Sequence, residues 1–186
     1  MARPKVILVG GGARSGKSAH ALALARSLGP RRAFLATARR YDGDLSARID
    51  RHVQERGPDF TTVEEPIELP ARLAGLGSHD VALVDCLTLW VSNLLVDGAD
   101  DAAVEARVES LCRALAAPPC HVVLVTNEVG MGVHPETPLG RRFRDLAGRA
   151  HQRVAGVADE VHFAVMGVVL RLSPGPVAVL APSVVG

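Results

Sequence analysis

The residues best suited to chemistry form a glycine-rich run near the start of the chain, GGARSGKS. The run matches the pattern G-x-x-x-x-G-K-[ST] and stands between an apolar run and a stretch with helical spacing. Small residues let successive backbone N–H groups surround phosphate oxygens, and the helix start adds a partial positive charge. The lysine reaches the outer phosphates, and the final hydroxyl holds Mg²⁺. We therefore predict a nucleoside triphosphate site made by Gly11, Gly12, Ala13, Arg14, Ser15, Gly16, Lys17 and Ser18.

An acidic residue closes the apolar run VALV: Asp85 follows Val84 directly. The end of a strand is where a P-loop protein places the carboxylate that orients Mg²⁺ or its bound water. Strands also end in aspartate without any such role, but the P-loop upstream favours the metal interpretation. The sequence thus predicts that Ser18 and Asp85 hold Mg²⁺.

A polar pair, Asn127 and Glu128, follows another apolar run, residues 122–125. Such residues emerge at the carboxyl edge of an open parallel sheet, where ligands bind. An ordinary polar loop would have the same composition. The residues alone leave both interpretations open.

One histidine stands among arginines. On a helix His52 shares a face with Arg48 and Arg56, which lie four residues before and after it. Two nearby positive charges favour the neutral, nucleophilic imidazole and are suited to holding a phosphate. From the residues alone, a solvent-exposed histidine is still the favoured interpretation.

The elements that position these residues alternate between strand and helix. Strands are predicted at residues 6–9, 33–36, 81–84, 122–125 and 161–170, and helices at 18–28, 45–56, 87–95, 101–116 and 139–155. This alternation predicts an α/β domain with a mostly parallel sheet flanked by helices. Residues 173–186 hold three prolines among valines and are expected to form an edge strand or a loose tail.

Length and composition exclude several classes of protein. A chain of 186 residues predicts one P-loop catalytic domain over residues 1–186. Lys and Arg total 21 against 20 Asp and Glu, and aromatic residues make up 3%, so we expect no nucleic-acid partner. No apolar stretch approaches the ~20 residues of a membrane span. Cys86, Cys112 and Cys120 lack metal-ligand spacing and favour a reducing, cytoplasmic location.

Several segments together resemble one known family. They are GGARSGKS, ATAR, RIDRH, TVEEP, VDCLTLWVSNLL, VTNEVGMGVHPETPLGRRFRDLAGRAHQRVA and ADEVHFAVMGVVLRL. Over about residues 6 to 172 the chain resembles the bifunctional adenosylcobinamide kinase/adenosylcobinamide-phosphate guanylyltransferases of cobalamin biosynthesis. The long segment that begins VTNEVGMG is far more specific than the P-loop.

The resemblance implies a RecA-like P-loop domain, assembled as a homotrimer, that acts on adenosylcobinamide with ATP, GTP and Mg²⁺. Its two steps would be phosphorylation of the aminopropanol hydroxyl and transfer of GMP to that phosphate, giving adenosyl-GDP-cobinamide. His52 matches the histidine that takes GMP from GTP. The other matched positions fall in segments that contact nucleotide: Thr37, Ala38, Arg39, Arg56, Gly57, Pro58, Glu65 (or its neighbour Glu64) and Asp85.

Two other functions stay open at this point. A small P-loop kinase for a different substrate would leave His52 inert, and GTP labelled on its α-phosphate would then fail to label the protein. A non-catalytic RecA-like nucleotide switch or strand-binding module would be expected to carry a basic patch and stacking aromatic residues, which the sequence lacks.

Overall fold

Strands and helices alternate through most of the chain. A computed structural model describes residues 3–39 and 57–180. Its strands are β1 Val6–Gly11, β2 Arg32–Ala36, β3 Phe60–Glu64, β4 Val81–Asp85, β5 His121–Asn127, β6 Glu160–Val165, β7 Val168–Ser173 and β8 Ala178–Leu180. Its helices are α1 Lys17–Leu28, α2 Leu69–Ala74, α3 Leu87–Val96, α4 Asp101–Ala116 and α5 Pro138–Val157. The helix predicted at residues 45–56, with His52, lies outside the described residues.

The described strands join one sheet in the order β3-β2-β4-β5-β1-β6-β7-β8. From β3 to β6 in that order, every neighbouring pair is parallel, and β7 and β8 add on antiparallel. The strand β1 lies between β5 and β6 and is buried along its whole length. Because the parallel strands point the same way, the residues that follow β1, β2, β3, β4 and β5 meet at one edge.

Helices cover both faces of the sheet, so alternate residues of β1 enter different cores. Leu8 packs in the larger core, with α2, α3, α4 and α5, where Trp90 is fully buried. Val9 packs in the smaller core against α1. This two-sided burial explains why the strand reads as an uninterrupted apolar run in the sequence.

The two longest helices begin where their sequences supply caps. The Asp100 side chain accepts a hydrogen bond from Ala103 N at the start of α4. Thr137 does the same for Gly140 N at the start of α5, and Pro138 takes the first helical position. Both helices lie where they were predicted, and α4 has the predicted bounds.

The strand predicted at residues 161–170 is wrong: the segment forms a hairpin. Met166 and Gly167 take positive φ angles of 51° and 76° and turn the chain between β6 and β7. Apolar residues on both sides of the turn conceal it in the sequence. For residues 173–186 the sequence predicts an edge strand or a loose tail. Within them β8 pairs with β7 at the edge of the sheet, and residues 181–186 lie outside the described part.

Candidate active site

The glycine-rich loop links β1 to α1 and depends on two glycines. Gly11 has φ +154°, and a Cβ placed there would lie 2.5 Å from the Ala164 carbonyl oxygen and 2.6 Å from Ser15 Oγ. Gly16 takes φ 94° immediately before α1. Glycine adopts these angles without the steric penalty that a side chain brings. Among the described residues no side-chain hydrogen bond caps α1, and the N–H groups at the start of a helix are suited to binding a phosphate.

Lys17 folds back over this loop. Its ammonium nitrogen Nζ donates to the Gly12 carbonyl oxygen at 3.0 Å, and the residue is 9% exposed. A lysine in this position places one positive charge beside the backbone N–H groups of the loop. One positive charge beside several backbone N–H groups is an arrangement suited to the outer phosphates of a nucleotide.

Neighbouring strands bring further polar residues to the same edge. In the sheet register Gly11 pairs with Asn127, and Asp85 pairs with Val125. The backbone N–H of Glu128 donates to the Gly11 carbonyl oxygen at 3.0 Å. The sheet therefore brings the predicted phosphate loop, Asp85 and the polar pair that follows β5 together.

The pKa of the Cys86 thiol depends on the charges around it. Burial, and after it the carboxylate of Asp85, raises the pKa of this thiol to about 11. A hydrogen bond with Thr88 and the positive charge of Lys17 act in the opposite direction. Asp85 and Lys17 thus both lie within electrostatic range of a protonated, buried thiol.

Thr37 fixes the end of β4. It is fully buried, its hydroxyl donates to Cys86 O at 2.8 Å, and the same oxygen accepts from Cys86 N at 2.7 Å. Its backbone N–H donates to Asp85 O at 3.1 Å, and Asn93 Nδ2 donates to Thr37 O at 2.7 Å. These bonds join β2, β4 and α3 directly beside Asp85.

Two other predicted residues at this edge already have partners. Both guanidinium NH groups of Arg39 bind the Asp97 carboxylate, at 2.5 and 2.6 Å. Glu65 accepts from the backbone N–H groups of Ile67 and Glu68, at 3.1 and 2.7 Å, and so orders the turn before α2. Ala38 lies half-buried between Thr37 and Arg39.

Two further predicted residues are not brought to the loop. Gly57 and Pro58 precede β3, in one turn of 3₁₀ helix, and so lie at the amino edge of the parallel sheet. In the same turn Asp59 pairs at 3.6 Å with Arg26, in the last turn of α1. Five residues of strand separate them from the carboxyl edge, about 17 Å. Arg56 and His52 lie outside the described residues.

Two polar atoms at the loop are buried and, within the described residues, have no hydrogen-bond partner: Ser15 Oγ and Asn127 Oδ1. A buried unpaired polar group costs about 1–3 kcal/mol, so such atoms are suited to a ligand. Separately, Ser18 and Asp85 supply hydroxyl and carboxylate oxygens, the donors that Mg²⁺ prefers. The described residues contain no cluster of three or more His, Cys, Asp or Glu suited to a metal. These residues fit Mg²⁺ held by few protein oxygens together with nucleotide phosphates.

His151, on α5, lies beside the end of β5, and the sequence alone assigned it no role. Its Nε2 lies 2.6 Å from Thr126 Oγ1, and its Nδ1 lies 3.9 Å from Glu128 Oε2. Burial lowers the pKa of His151, while Glu128 acts to raise it. The available signal was its place beside the buried stripe of α5, which includes Ala147 and Ala150.

A family model described as cobinamide kinase / cobinamide phosphate guanyltransferase matches residues 7–172. The bifunctional adenosylcobalamin biosynthesis protein CobU of Escherichia coli is 41% identical over 180 residues, covering 90% of this chain and 99% of that protein. CobU of Salmonella typhimurium has the same identity and coverage. CobP of Pseudomonas aeruginosa is 40% identical over 170 residues, covering 91% of this chain and 98% of that protein.

Solved structures share the fold at low sequence identity. The flagellar accessory protein FlaH of Methanocaldococcus jannaschii has a TM-score of 0.51 at 12% identity, covering 96% of this chain and 91% of that one. The RadB recombinase has a TM-score of 0.50 at 12% identity, covering 90% and 79%. The predicted RecA-like α/β fold with a mostly parallel sheet is therefore confirmed. Among the described residues, every helix is too short or too polar to span a membrane.

Replacing Thr37 with valine tests the connection between β2 and β4. Thr37→Val keeps the shape of the side chain but removes the oxygen that accepts from Cys86 N. We expect the free energy of unfolding to fall by about 1–3 kcal/mol, because a buried N–H group loses its partner. Chemical denaturation measures this change.

The matched control is Thr61→Val, at an exposed position on β3. It should change the free energy of unfolding by no more than about 0.5 kcal/mol. Equal effects of the two variants would contradict a stabilising role for the Thr37 hydroxyl.

Proposed function

This chain belongs to the cobinamide kinase / cobinamide phosphate guanyltransferase family, and on that premise we propose that it phosphorylates adenosylcobinamide and then transfers GMP from GTP to the new phosphate. The phosphate acceptor in the first step is the aminopropanol hydroxyl, and the final product is adenosyl-GDP-cobinamide. The observation that carries the proposal is the match over residues 7–172, which includes the phosphate loop and the strands beside it.

The phosphate loop serves both steps in this proposal. Phosphoryl transfer depends mainly on positioning and on stabilisation of charge at the phosphates. Lys17, held at 3.0 Å from Gly12 O, and the uncapped first turn of α1 supply that charge. The same groups are suited to the departing pyrophosphate of GTP in the second step.

Ser18 and Asp85 would hold Mg²⁺. The oxygen donors around the loop support this assignment, since Asp85 ends a strand at the edge where Ser18 lies in the first turn of α1. When bound, the ion supplies neutralisation of the charge that develops on the leaving phosphate. Asp85 is held for this role by the bond from Thr37 N to its carbonyl oxygen.

His52 is the proposed nucleophile of the second step, by its match to the family motif in RIDRH. The lone pair of its imidazole attacks the α-phosphorus of GTP, a P–N bond forms, and the bond to pyrophosphate breaks. A phosphate oxygen of adenosylcobinamide phosphate then attacks the same phosphorus, and the P–N bond breaks. The two-step route lets one site take GTP first and the bulky acceptor second.

The remaining parts of the proposal concern contacts, assembly and location. Thr37, Ala38, Arg39 and Glu65 follow β2 and β3 at the edge of the phosphate loop, which supports their place in the nucleotide site. We keep Arg56, Gly57 and Pro58 as proposed nucleotide contacts on the family match alone. We also propose, on the family match, that single-domain chains assemble as a homotrimer. A cytoplasmic location fits the use of ATP and GTP and the three free, buried cysteines.

Lys17→Ala should lower both half-reactions by about 100-fold or more, because both need the triphosphate held at the loop. Separate assays of adenosylcobinamide phosphate and of the GMP adduct measure the two effects. Lys5→Ala is the control, since Lys5 is an exposed residue that pairs with Glu160 at the start of β6. Guanylylation of Lys17→Ala near the wild-type rate would contradict a shared site.

Asp85→Asn should lower Mg²⁺-dependent turnover by about 100-fold while changing nucleotide affinity by less than about tenfold, because the carboxylate orients the ion rather than the base. Turnover and nucleotide dissociation constants are measured on the same preparation. Asp145→Asn, at an exposed position on α5, is the control. Equal losses of affinity and turnover would indicate a structural role for Asp85.

His52→Ala should separate the two activities. The variant should form no GMP adduct by intact-mass spectrometry after incubation with GTP and Mg²⁺, yet still phosphorylate adenosylcobinamide, whose own hydroxyl is the nucleophile in that step. His79→Ala, distant in sequence from the motif, should retain both activities. An undiminished adduct in His52→Ala would identify another residue as the nucleophile.

A further inference from the structure

A pocket of about 380 Å³ opens beside the phosphate loop, on the side of β6. Residues 12–15 of the loop form one wall, and residues 163–166, at the end of β6 and its turn, form the opposite wall. Glu128 and Met131 complete the lining. Residues 12–15 belong to the predicted phosphate loop, so the pocket opens directly onto that loop.

Two large apolar side chains stand at the mouth of this pocket. Met131 is 81% exposed and Met166 is 95% exposed. Met166 is held in the tight turn between β6 and β7, where its φ is 51°. Flexible, polarisable methionines exposed beside a pocket are suited to an apolar ligand of irregular shape.

Glu128 is the acidic residue of this pocket, and its position is fixed. Its Oε1 accepts from Gly130 N at 2.5 Å, and its backbone N–H donates to Gly11 O at the end of β1. Its Oε2 lies 3.9 Å from Nδ1 of His151, which Thr126 holds at 2.6 Å. Within the described residues no lysine or arginine forms an ion pair with this carboxylate. The pocket therefore offers one carboxylate beside the phosphate loop, with Arg14 in the same lining and apolar side chains at Met131 and residues 163–166.

We propose that this pocket receives the alcohol-bearing arm of the cobinamide substrate and that Glu128 accepts the proton of its hydroxyl during phosphoryl transfer. The inference rests on the proposed function. A volume of about 380 Å³ is at the lower end of sites for drug-sized molecules, so the arm enters while the large ring lies at the mouth, against Met131 and Met166.

Phosphoryl transfer joins the alcohol to the terminal phosphorus of the bound triphosphate. The hydroxyl oxygen attacks the terminal phosphorus, and a new P–O bond forms. The bond from that phosphorus to the bridging oxygen breaks, and its electron pair leaves with the nucleoside diphosphate. The hydroxyl proton passes to Oε2 of Glu128, which returns it to solvent after the product leaves.

His151 is a positioning residue in this scheme. Burial lowers the pKa of His151, so its ring is neutral near pH 7 and places no full positive charge beside Glu128. The Gly130 N–H that donates to Glu128 is uncharged, and Thr126 binds His151. Arg14 lines the same pocket but forms no ion pair with Glu128 within the described residues, so no paired cation among them competes with the incoming proton.

Glu128→Gln tests the role of the carboxylate. The amide keeps the size of the side chain and the oxygen that accepts from Gly130 N, but it cannot take a proton. We expect the kcat for phosphorylation of adenosylcobinamide to fall by about 100-fold or more. Formation of the GMP adduct and the Kd for GTP should stay within about twofold of wild type, because an imidazole rather than a hydroxyl attacks in that step.

Glu136→Gln is the matched control, in the same loop and exposed, and it should keep both activities. A Glu128→Gln variant that phosphorylates within about threefold of the wild-type rate overturns the inference alone. Equal losses of adduct formation and phosphorylation also overturn it, since they indicate a structural role. Absence of phosphorylated product from the wild-type protein overturns the proposed function, and this inference with it.

Met166→Gln tests the place of the large ring. We expect the KM for adenosylcobinamide to rise about tenfold with kcat nearly unchanged, because an apolar contact is lost without change to the reacting groups. Val133→Gln is the control, at a residue of the same loop as Glu128 that is 94% exposed and outside the pocket lining. An unchanged KM overturns the assignment. If the sedimentation coefficient of the variant changes as well, Met166 is instead a contact between copies of the chain.

Discussion

The close approach of β1 to β6 at Gly11 is the constraint on which the site depends. A Cβ at this position would lie 2.5 Å from Ala164 O. Only glycine at position 11 therefore lets β1 keep its pairing with β6 to the end of the strand. Because β1 stays paired on both sides to that point, the loop leaves the sheet between β5 and β6. Asn127 and Glu128 therefore lie on one side of the loop, and the pocket wall at Phe163 and Met166 lies on the other.

A second set of bonds holds the opposite side of the site. The Thr37 hydroxyl and backbone join β2 to the end of β4, and Asn93 ties the same residue to α3. Because Thr37 and Asn93 are buried, water cannot readily replace a lost partner. Their hydrogen bonds therefore contribute more to stability than those of exposed residues. Asp85 is thereby held at a rigid sheet edge, as phosphoryl transfer requires. Lys17 and Asp85 both lie within electrostatic range of the Cys86 thiol.

Strong local patterns made much of the fold and the phosphate loop predictable. The loop motif needs neighbours only a few residues away, and α4 carries its own cap in Asp100. The turn at Met166 was not predicted because apolar residues flank it. The short β3 and α2 were not predicted because they have too few residues to show a hydrophobic period. The roles of Thr37 and His151 depend on partners distant in sequence, Cys86 and Thr126, which meet only once the strands are ordered in the sheet. For His52 the family motif alone supports a role.

The most direct test of a bifunctional enzyme that works through a covalent intermediate is a pulse–chase measurement on the wild-type protein. The protein is incubated with GTP and Mg²⁺, freed of nucleotide, and then mixed with adenosylcobinamide phosphate while intact mass and product are followed together. The account predicts that one GMP is added per active chain and is lost at the rate at which adenosyl-GDP-cobinamide forms, in equal amount. An adduct that persists while product forms, or product that forms without any adduct when GTP is present, would contradict it.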